Sequence, residues 1–413
     1  MAASEMIWNL ITIGGGAAGF FGAITHAEMG GGSTLILERT SQVLGKVKIS
    51  GGGRCNVTHD CQEPKAFSAH YPRGEKALIG PLHRWGATET IAWFEAHGVA
   101  LKTEADGRMF PVTNDSQTIM DCLQDAADDA QVEVRRRCEV TAIRLDFGVF
   151  TFVLSDGEVL RARNVLLATG GTRAVSGAKL AESLGHALVP PVPSLFTFKV
   201  PDPRLKDLAG VSVDRVDCAI EGTRLKASGP LLVTHWGMSG PGILRLSAWG
   251  ARELAEKDYQ FTMKVDWLPE KGAEAVLRRC RETWGKRQLP VRTPFTEVPK
   301  RLWVRLLERV GVSEGQLWSQ LTRDQLKALV EQLHQATFEV RGKSMNKDEF
   351  VTCGGVDVRE IDLKTMESRR CPGLFFAGEI MNVDGITGGF NFQNAWTSGY
   401  HAGMTMAHRK TQF

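Results

Sequence analysis

The sequence predicts an α/β chain built on a parallel sheet, and three stretches carry that prediction. Residues 7–38 read as strand, glycine turn, helix and strand. NVLLATGG, residues 164–171, reads as a short apolar strand ending in glycines. Residues 372–408 close with strand, glycine turn and helix. Strands that alternate with helices and run into glycines mark βαβ units on a parallel sheet.

In chain order, IWNLITI (7–13) is an apolar, β-rich run followed by GGGAAG. FFGAITHAEMG carries apolar residues at helical spacing and stops at Gly30-Gly31-Gly32. TLILE (34–38) is a second buried-type strand. Residues 87–98 form a helix with a glycine stop, and residues 115–130 a helix with Asp or Ser caps. VEVRRR, CEVTAIRLD and VFTFVL read as strands, with SDGEV as a hairpin turn. PPVP at 190–193 breaks the pattern. LFTFKV, VDRVDCAIEG, GPLLVT and YQFTMKVDW follow as strand-like pieces. From Pro269 come three helical patterns, EKGAEAVLRRCRETWG, VPKRLWVRLLERVG and RDQLKALVEQLHQ, before FEVRG and EFVTCGGV return as strands. The α/β character of the start resumes at the end. The expected organisation is a discontinuous nucleotide-binding domain, 1–192 and 352–413, interrupted by a β-rich barrel domain, 193–268 and 336–351, and a helical domain, 269–335.

The 413 residues suffice for two or three domains, and 43% hydrophobic with 23% charged content suits a soluble enzyme. A net charge of +3 is too mild to call for nucleic acid or an anionic membrane, so a small-molecule substrate is expected and the oligomeric state is left open. The eight cysteines show no CxxC spacing and no accompanying histidine cluster, so no metal site is expected and they read as reduced thiols. The first residues lack a basic leader, and no apolar run approaches the ~18 residues of a membrane span, so the expected location is cytoplasmic.

Gly14, Gly16 and Gly19 fit GxGxxG between strand and helix. The first allows the tight turn, the second lets backbone approach a pyrophosphate, and the third lets helix and strand pack closely. Glu38 ends the next strand, where a carboxylate accepts hydrogen bonds from ribose hydroxyls and repels a 2′-phosphate. FAD or NAD is therefore favoured over NADP. LFFAGE (374–379), ending in Gly378-Glu379, supplies the partner strand that a flavin's ribitol and second phosphate need, which selects FAD. Gly388-Gly389-Phe390-Asn391 opens the last helix, whose N-terminus would stabilise negative charge at the flavin pyrimidine edge. Ala168-Thr169-Gly170-Gly171 adds a further close-approach turn.

GGGAAG…LERT…ISGGGRCNVT…LLATGG…LLVTHWGMSGPGIL…VTCGGV…TMESRRCPGLFFAGE…VDGITGGFNFQNAWTSG resembles the bacterial BaiN-like, aminoacetone-oxidase-like family of FAD flavoproteins over residues 13 to about 403. The resemblance implies a Rossmann-like FAD domain of the two-dinucleotide-binding type, interrupted by a small barrel and a helical domain. It places Ser50, Gly51, Gly52, Gly53, Arg54, Cys55 and Asn56 along the isoalloxazine and pyrophosphate, with bare glycines letting the chain lie flat against the ring. It extends the cofactor set to Ala17, Ala18, Arg39, Gly45, Lys46 and Asp384, and puts backbone groups at Val140 beside adenine. Arg54 would offset phosphate charge or hold an anionic substrate. Departures from the family pattern are TRAVSGAKL after ATGG, Asn382 in place of an acid, Phe390 in place of Tyr, and Cys353 in place of a small residue.

Flavin chemistry needs no protein nucleophile, so the protein supplies position and electrostatics. His235 in THWGMSGPGIL is the candidate general base, on a β-to-helix turn with Ser239 and Pro241 as its N-cap region. His59 and Cys55 read first as packed residues, and Arg278, Arg279 and Lys300 as a solvated face. The expected activity is hydride transfer between a small organic substrate and FAD, with O₂ or a transiently docked NAD(P)H as second redox partner. A flavin-bound regulatory protein without turnover and a flavin-dependent RNA-modifying enzyme are the alternatives.

Overall fold

The computed structural model describes residues 6–172, 175–344 and 351–409. The chain forms two compact units, Met1–Pro193 with Lys347–Phe413, and Ser194–Asn346.

The first unit is built on five parallel strands in the order Leu374–Phe376, Val159–Leu167, Ile7–Ile13, Thr34–Glu38 and Glu133–Arg136. Leu10, Ile11, Leu35, Ile36, Leu166 and Phe375 are fully buried, as expected of parallel strands covered on both faces. Ile13 lies opposite both Leu37 and Leu167, and Leu167 opposite Phe376, so the strands end at one level. Strand Val159–Leu167 also does a second job that the separate reading of NVLLATGG leaves out. Residues 159–162 pair antiparallel with Val149–Leu154, while 161–167 pair parallel with the first strand. The strand is continuous from the SDGEV turn into the sheet centre.

Helix Ala17–Glu28 and the closing helix, Phe390–His408, meet through glycines. A Cβ on Gly399 would lie 2.9 Å from the Ala18 carbonyl oxygen, and one on Gly403 2.5 Å from that of Gly22. Phe20, Phe21, Ile24 and Trp396 form one apolar cluster with Ile119 and Leu123 of helix Ser116–Asp129, whose N-cap Asp115 accepts the Gln117 N–H at 2.9 Å. Residues 58–111 add a small sheet, Thr58–His59, Arg108–Pro111 and Leu101–Thr103, and helix Glu75–Arg84 with Pro81 inside it. The sequence pattern signals neither, because two- to four-residue strands are too short to show a period and Pro81 breaks the helical one.

The second unit has seven antiparallel strands, ordered Ala336–Arg341, Gln260–Asp266, Ser212–Ile220, Lys226–Thr234, Gly237–Ser239, Thr197–Lys199 and Lys343–Ser344. Helices Ala273–Thr283, Lys300–Arg309 and Arg323–His334 belong to the same unit. The last starts with a capping box, in which Thr322 Oγ1 accepts the Gln325 N–H at 3.1 Å and Gln325 Oε1 accepts the Thr322 N–H at 3.2 Å. Ser239 is not the cap of helix Pro241–Trp249. Gly240, at φ +95°, holds that position, and the Ser239 hydroxyl accepts from Thr197 Oγ1 at 2.9 Å instead. Among the described residues no helix is long and apolar enough to cross a membrane.

Candidate functional site

Four turns, distant in sequence, gather where the parallel strands end. Gly14 follows Ile13, Glu38 ends its own strand, Ala168 follows Leu167, and Gly378 lies two residues past Phe376. In open α/β sheets this carboxyl edge is where ligands bind.

The first glycine turn is shaped by close packing and by clearance. A Cβ on Gly14, at φ +110°, would lie 2.4 Å from the Ala168 carbonyl oxygen, and one on Gly19 2.0 Å from that of Gly14. Gly16 is the opposite case: it is the N-cap of helix Ala17–Glu28, no side chain caps it, and a Cβ there would meet nothing within 4 Å. Ala17 and Ala18 keep the first helical turn free of bulk and acid. Glu38 Oε2 accepts the Gly15 N–H at 2.8 Å, and Oε1 accepts the N–H and hydroxyl of Thr40 at 2.9 Å. A carboxylate has about four acceptor sites, so capacity is left for a hydroxyl. Arg39 beside it is exposed. The Cys138 N–H donates to the Glu38 carbonyl at 2.9 Å, which carries the chain past Glu38 to Val140, buried and paired with Leu154.

The second glycine turn winds left-handed, a conformation the sequence reading did not specify. Helix Gly45–Gly53 breaks at Ser50, whose ψ is 151°, and Gly51, Gly52 and Gly53 take φ of +58°, +70° and +83°. Three consecutive left-handed residues cost L-amino acids about 1–2 kcal/mol each, which is why the triplet is glycine. Cβ atoms on Gly45, Gly52 and Gly53 would meet nothing within 4 Å, while one on Gly51 would lie 2.9 Å from Phe110. Arg54 stacks over Phe110 at 4.0 Å and pairs with Glu104 at 2.6 Å, so its charge is already answered inside the fold. Cys55, at φ +59°, is fully buried, and burial pushes its thiol up to about 12. All eight cysteines are free thiols, Cys353 buried among them.

Asn56 joins this turn to the closing helix. In the amide orientation that satisfies its neighbours, its NH₂ donates to the carbonyls of Thr58 (3.0 Å) and Met109 (3.2 Å), and its oxygen accepts the Gly389 N–H at 2.9 Å. Trp396 Nε1 donates to the Val57 carbonyl at 2.9 Å, and Thr58 Oγ1 bonds Gln393 at 2.6 Å. Gly388 and Gly389 have φ of +132° and +92°, and a Cβ on Gly389 would lie 2.4 Å from the Thr58 carbonyl oxygen. Phe390 stacks on both His59 (4.9 Å) and His70 (4.3 Å), whose own rings lie 6.0 Å apart. Burial lowers the His59 pKa, and its Nδ1 has no partner. Asn391 closes on Gly385, accepting its N–H at 2.8 Å and donating to its carbonyl at 2.9 Å. Asp384 is fully buried against Arg73, with Nε to Oδ1 at 2.6 Å.

On the other side of the edge, Lys46 pairs with Glu379, whose Oε1 accepts the Thr352 N–H at 2.8 Å. A Cβ on Gly171 would lie 2.2 Å from Thr352 Oγ1, and the Gly378 N–H donates to Ser398 at 2.8 Å. Four buried side-chain atoms here lack a hydrogen-bond partner: Thr169 Oγ1, Thr172 Oγ1, Asn382 Oδ1 and Asn394 Oδ1. Buried polar atoms are rarely left so, and their gathering beside the glycine turns suits a polar ligand. Thr172 and Asn394 escape sequence reading, Asn394 because a polar residue inside a helix carries no signal by itself. Of the TRAVSGAKL departure, residues 173 and 174 lie outside the described residues. The bare helix N-terminus at Gly16, the acid at Glu38 and the side-chain-free backbone of residues 52–53 together fit a flavin dinucleotide, with pyrophosphate, ribose and ring each given a counterpart.

His235 belongs to the second unit, exposed on the turn between Lys226–Thr234 and Gly237–Ser239. No cluster of metal-ligating residues occurs among the described residues.

The HI0933-like protein Rossmann domain matches residues 8–405. The chain is 32% identical over 403 residues to the ribosomal RNA dihydrouridine synthase of Escherichia coli K12, covering 95% of this chain and 96% of that protein. It is 30% identical over 408 residues to the 3-dehydro-bile acid delta(4,6)-reductase of Clostridium scindens, covering 96% and 98%. The fold is shared with the 3-ketosteroid-delta4-(5alpha)-dehydrogenase of Rhodococcus jostii RHA1, with a TM-score of 0.53 at 16% identity and 99% coverage of both chains.

Proposed function

The chain belongs to the HI0933-like Rossmann-domain family and is an FAD-dependent oxidoreductase, and from that premise we propose that it reduces a ring C=C bond conjugated to a carbonyl, with NAD(P)H as hydride donor. Both relatives' names describe that chemistry. Dihydrouridine is uridine with two hydrogens added across a C=C bond conjugated to a ring carbonyl, and a delta(4,6)-reductase of a 3-dehydro acid saturates bonds conjugated to the 3-carbonyl.

The observation that carries the reading is the bare left-handed backbone of Gly52 and Gly53 beside the closing helix's N-terminus. Bound FAD would supply the two-electron chemistry, by which a conjugated C=C bond takes up a hydride equivalent from NAD(P)H at one carbon and a solvent proton at the other. The protein's part is steric and electrostatic. Gly52 and Gly53 leave a planar ring free to lie on backbone, and the helix N-terminus at Gly389 favours negative charge. The buried Cys55 thiol, held protonated near neutral pH by burial, argues against a thiolate relay at that position.

The charge distribution favours a uracil in RNA over a small ring compound. Residues 194–346 hold 25 Lys and Arg against 18 Asp and Glu, while the rest of the chain holds 25 against 29. The +3 total hides this split, and a basic segment is the electrostatic footprint of a polyanion's partner.

Anaerobic spectra test the reading. The oxidised flavin band should bleach on adding NADPH or NADH and return on adding a cyclic enone or a uridine-rich RNA, with dihydrouridine in the recovered RNA. A band that NAD(P)H leaves unchanged overturns it.

A further inference from the structure

The second unit holds a cleft of about 460 Å³ lined by Lys199, Lys206, Arg341, His235 and Trp236 among others. Asp202 is the one carboxylate in its lining, and that carboxylate is engaged. The buried Arg204 guanidinium takes both its oxygens, Nε to Oδ1 at 2.8 Å and Nη2 to Oδ2 at 2.7 Å. Lys199, Lys206 and Arg341 make no ion pair among the described residues. Three cations therefore surround one opening whose one lining carboxylate is already paired.

Trp236 is 68% exposed, and the turn that displays it is fixed. Thr234 pairs with Gly237 across the turn, and the Val200 N–H donates to the Trp236 carbonyl at 3.0 Å. A Cβ on Gly237 would lie 2.2 Å from the Phe198 carbonyl oxygen, so this turn is pressed onto the neighbouring strand. An indole held out on a rigid turn is a stacking platform that loses little freedom on use. The basic surface also continues beyond the cleft. Asp207, next to Lys206, contacts Arg305 at 3.4 Å and accepts a hydrogen bond from Arg301 at its carbonyl, which brings in helix Lys300–Arg309 with Lys300 and Arg301 exposed. A ring platform beside cations recognises a base and its phosphate, and the continuation suits more than one phosphate.

We propose that this cleft holds a nucleotide of single-stranded RNA, its base stacked on Trp236 and its phosphates on Lys199, Lys206 and Arg341. The assignment rests on the reading of the substrate as a uracil in RNA.

The test is fluorescence anisotropy of the FAD-loaded full chain with a fluorescein-labelled, uridine-rich 16-nucleotide RNA across a salt series. Trp236→Ala should weaken binding roughly five- to a hundredfold, and Trp236→Phe should restore most of it. The triple variant Lys199→Gln, Lys206→Gln, Arg341→Gln should lower the salt slope by about 2, at about 0.7 for each phosphate no longer neutralised. Lys264→Gln, on the same sheet but paired with Glu221, should bind as wild type. Wild-type levels of binding in both the Trp236→Ala and triple variants, or competition of the RNA by NADPH alone, would overturn the assignment. Bleaching by NAD(P)H is read on the same samples. A chain that bleaches and reduces a cyclic enone but does not bind RNA fails the cleft assignment alone. A chain that binds RNA through the cleft yet never bleaches fails the reductase reading.

Discussion

Asn56 and Gly389 are joined by a hydrogen bond of 2.9 Å that runs from the N–H opening the closing helix to a side chain 333 positions earlier. The second glycine turn and the final helix are therefore one structural piece, with Asn56 also holding the carbonyls of Thr58 and Met109.

Asn56→Ala should cost about 2–3 kcal/mol, since it strips partners from three backbone groups around a nearly buried side chain. Urea unfolding should show a lower midpoint at unchanged slope. Flavin should also leave the variant faster, because the helix start is no longer tied to residues 51–53.

The two glycines of the first turn should fail differently. Gly19→Ala places a carbon 2.0 Å from a backbone oxygen and should destabilise the fold by about 1–3 kcal/mol or more. Gly16→Ala meets no protein atom, so its apoprotein should melt as wild type while FAD affinity falls at least tenfold. Apoprotein melting curves and flavin titration separate the two effects.

His26 makes the first unit acid-sensitive. Burial pushes its pKa from 6.5 down to about 4, with Nδ1 on Thr34 Oγ1 at 2.8 Å and Nε2 without a partner. The unfolded chain binds this proton more tightly, so the stabilisation is complete above pH 6.5 and is lost as pH falls toward 4. The loss amounts to about 3 kcal/mol. Denaturation midpoints measured across that window should flatten in His26→Gln.

Iodoacetamide should label Cys61 and Cys138, the two partly exposed thiols, and spare Cys55 until the protein unfolds. Peptide mass spectrometry reads the order. Labelling of Cys55 in the native protein at neutral pH would reinstate it as a redox candidate.

The parallel strands were legible because both of their faces are buried, which leaves near-continuous apolar runs such as TLILE, and because Gly14 and Gly19 each answer a separate steric demand. The left-handed winding of residues 51–53 was not legible, since three glycines permit a flat ribbon and a left-handed turn alike. Asn56 showed only as part of a motif, because its partners lie two, 53 and 333 positions away. The N-cap region read around Ser239 and Pro241 resolves to Gly240 between them: serine is the better cap, but its hydroxyl is engaged with Thr197 on the neighbouring strand. The net charge of +3 averages over a basic segment, residues 194–346, and an acidic remainder, so the total carries no information on how charge is placed.

The central position of strand Val159–Leu167 has a consequence for how the protein is born. One neighbour, Ile7–Ile13, leaves the ribosome long before it, and the other, Leu374–Phe376, long after. At roughly 5–20 residues per second, Phe376 follows Ile13 by about 20–70 s. Until then the sheet lacks a strand, and Gly22 and the Ala18 carbonyl lack the helix that covers them. Residues 195–346, whose described strands pair with one another, are synthesised whole within that interval. Until then the nascent first unit carries an open sheet edge at Val159–Leu167, while the second unit is free to finish folding first.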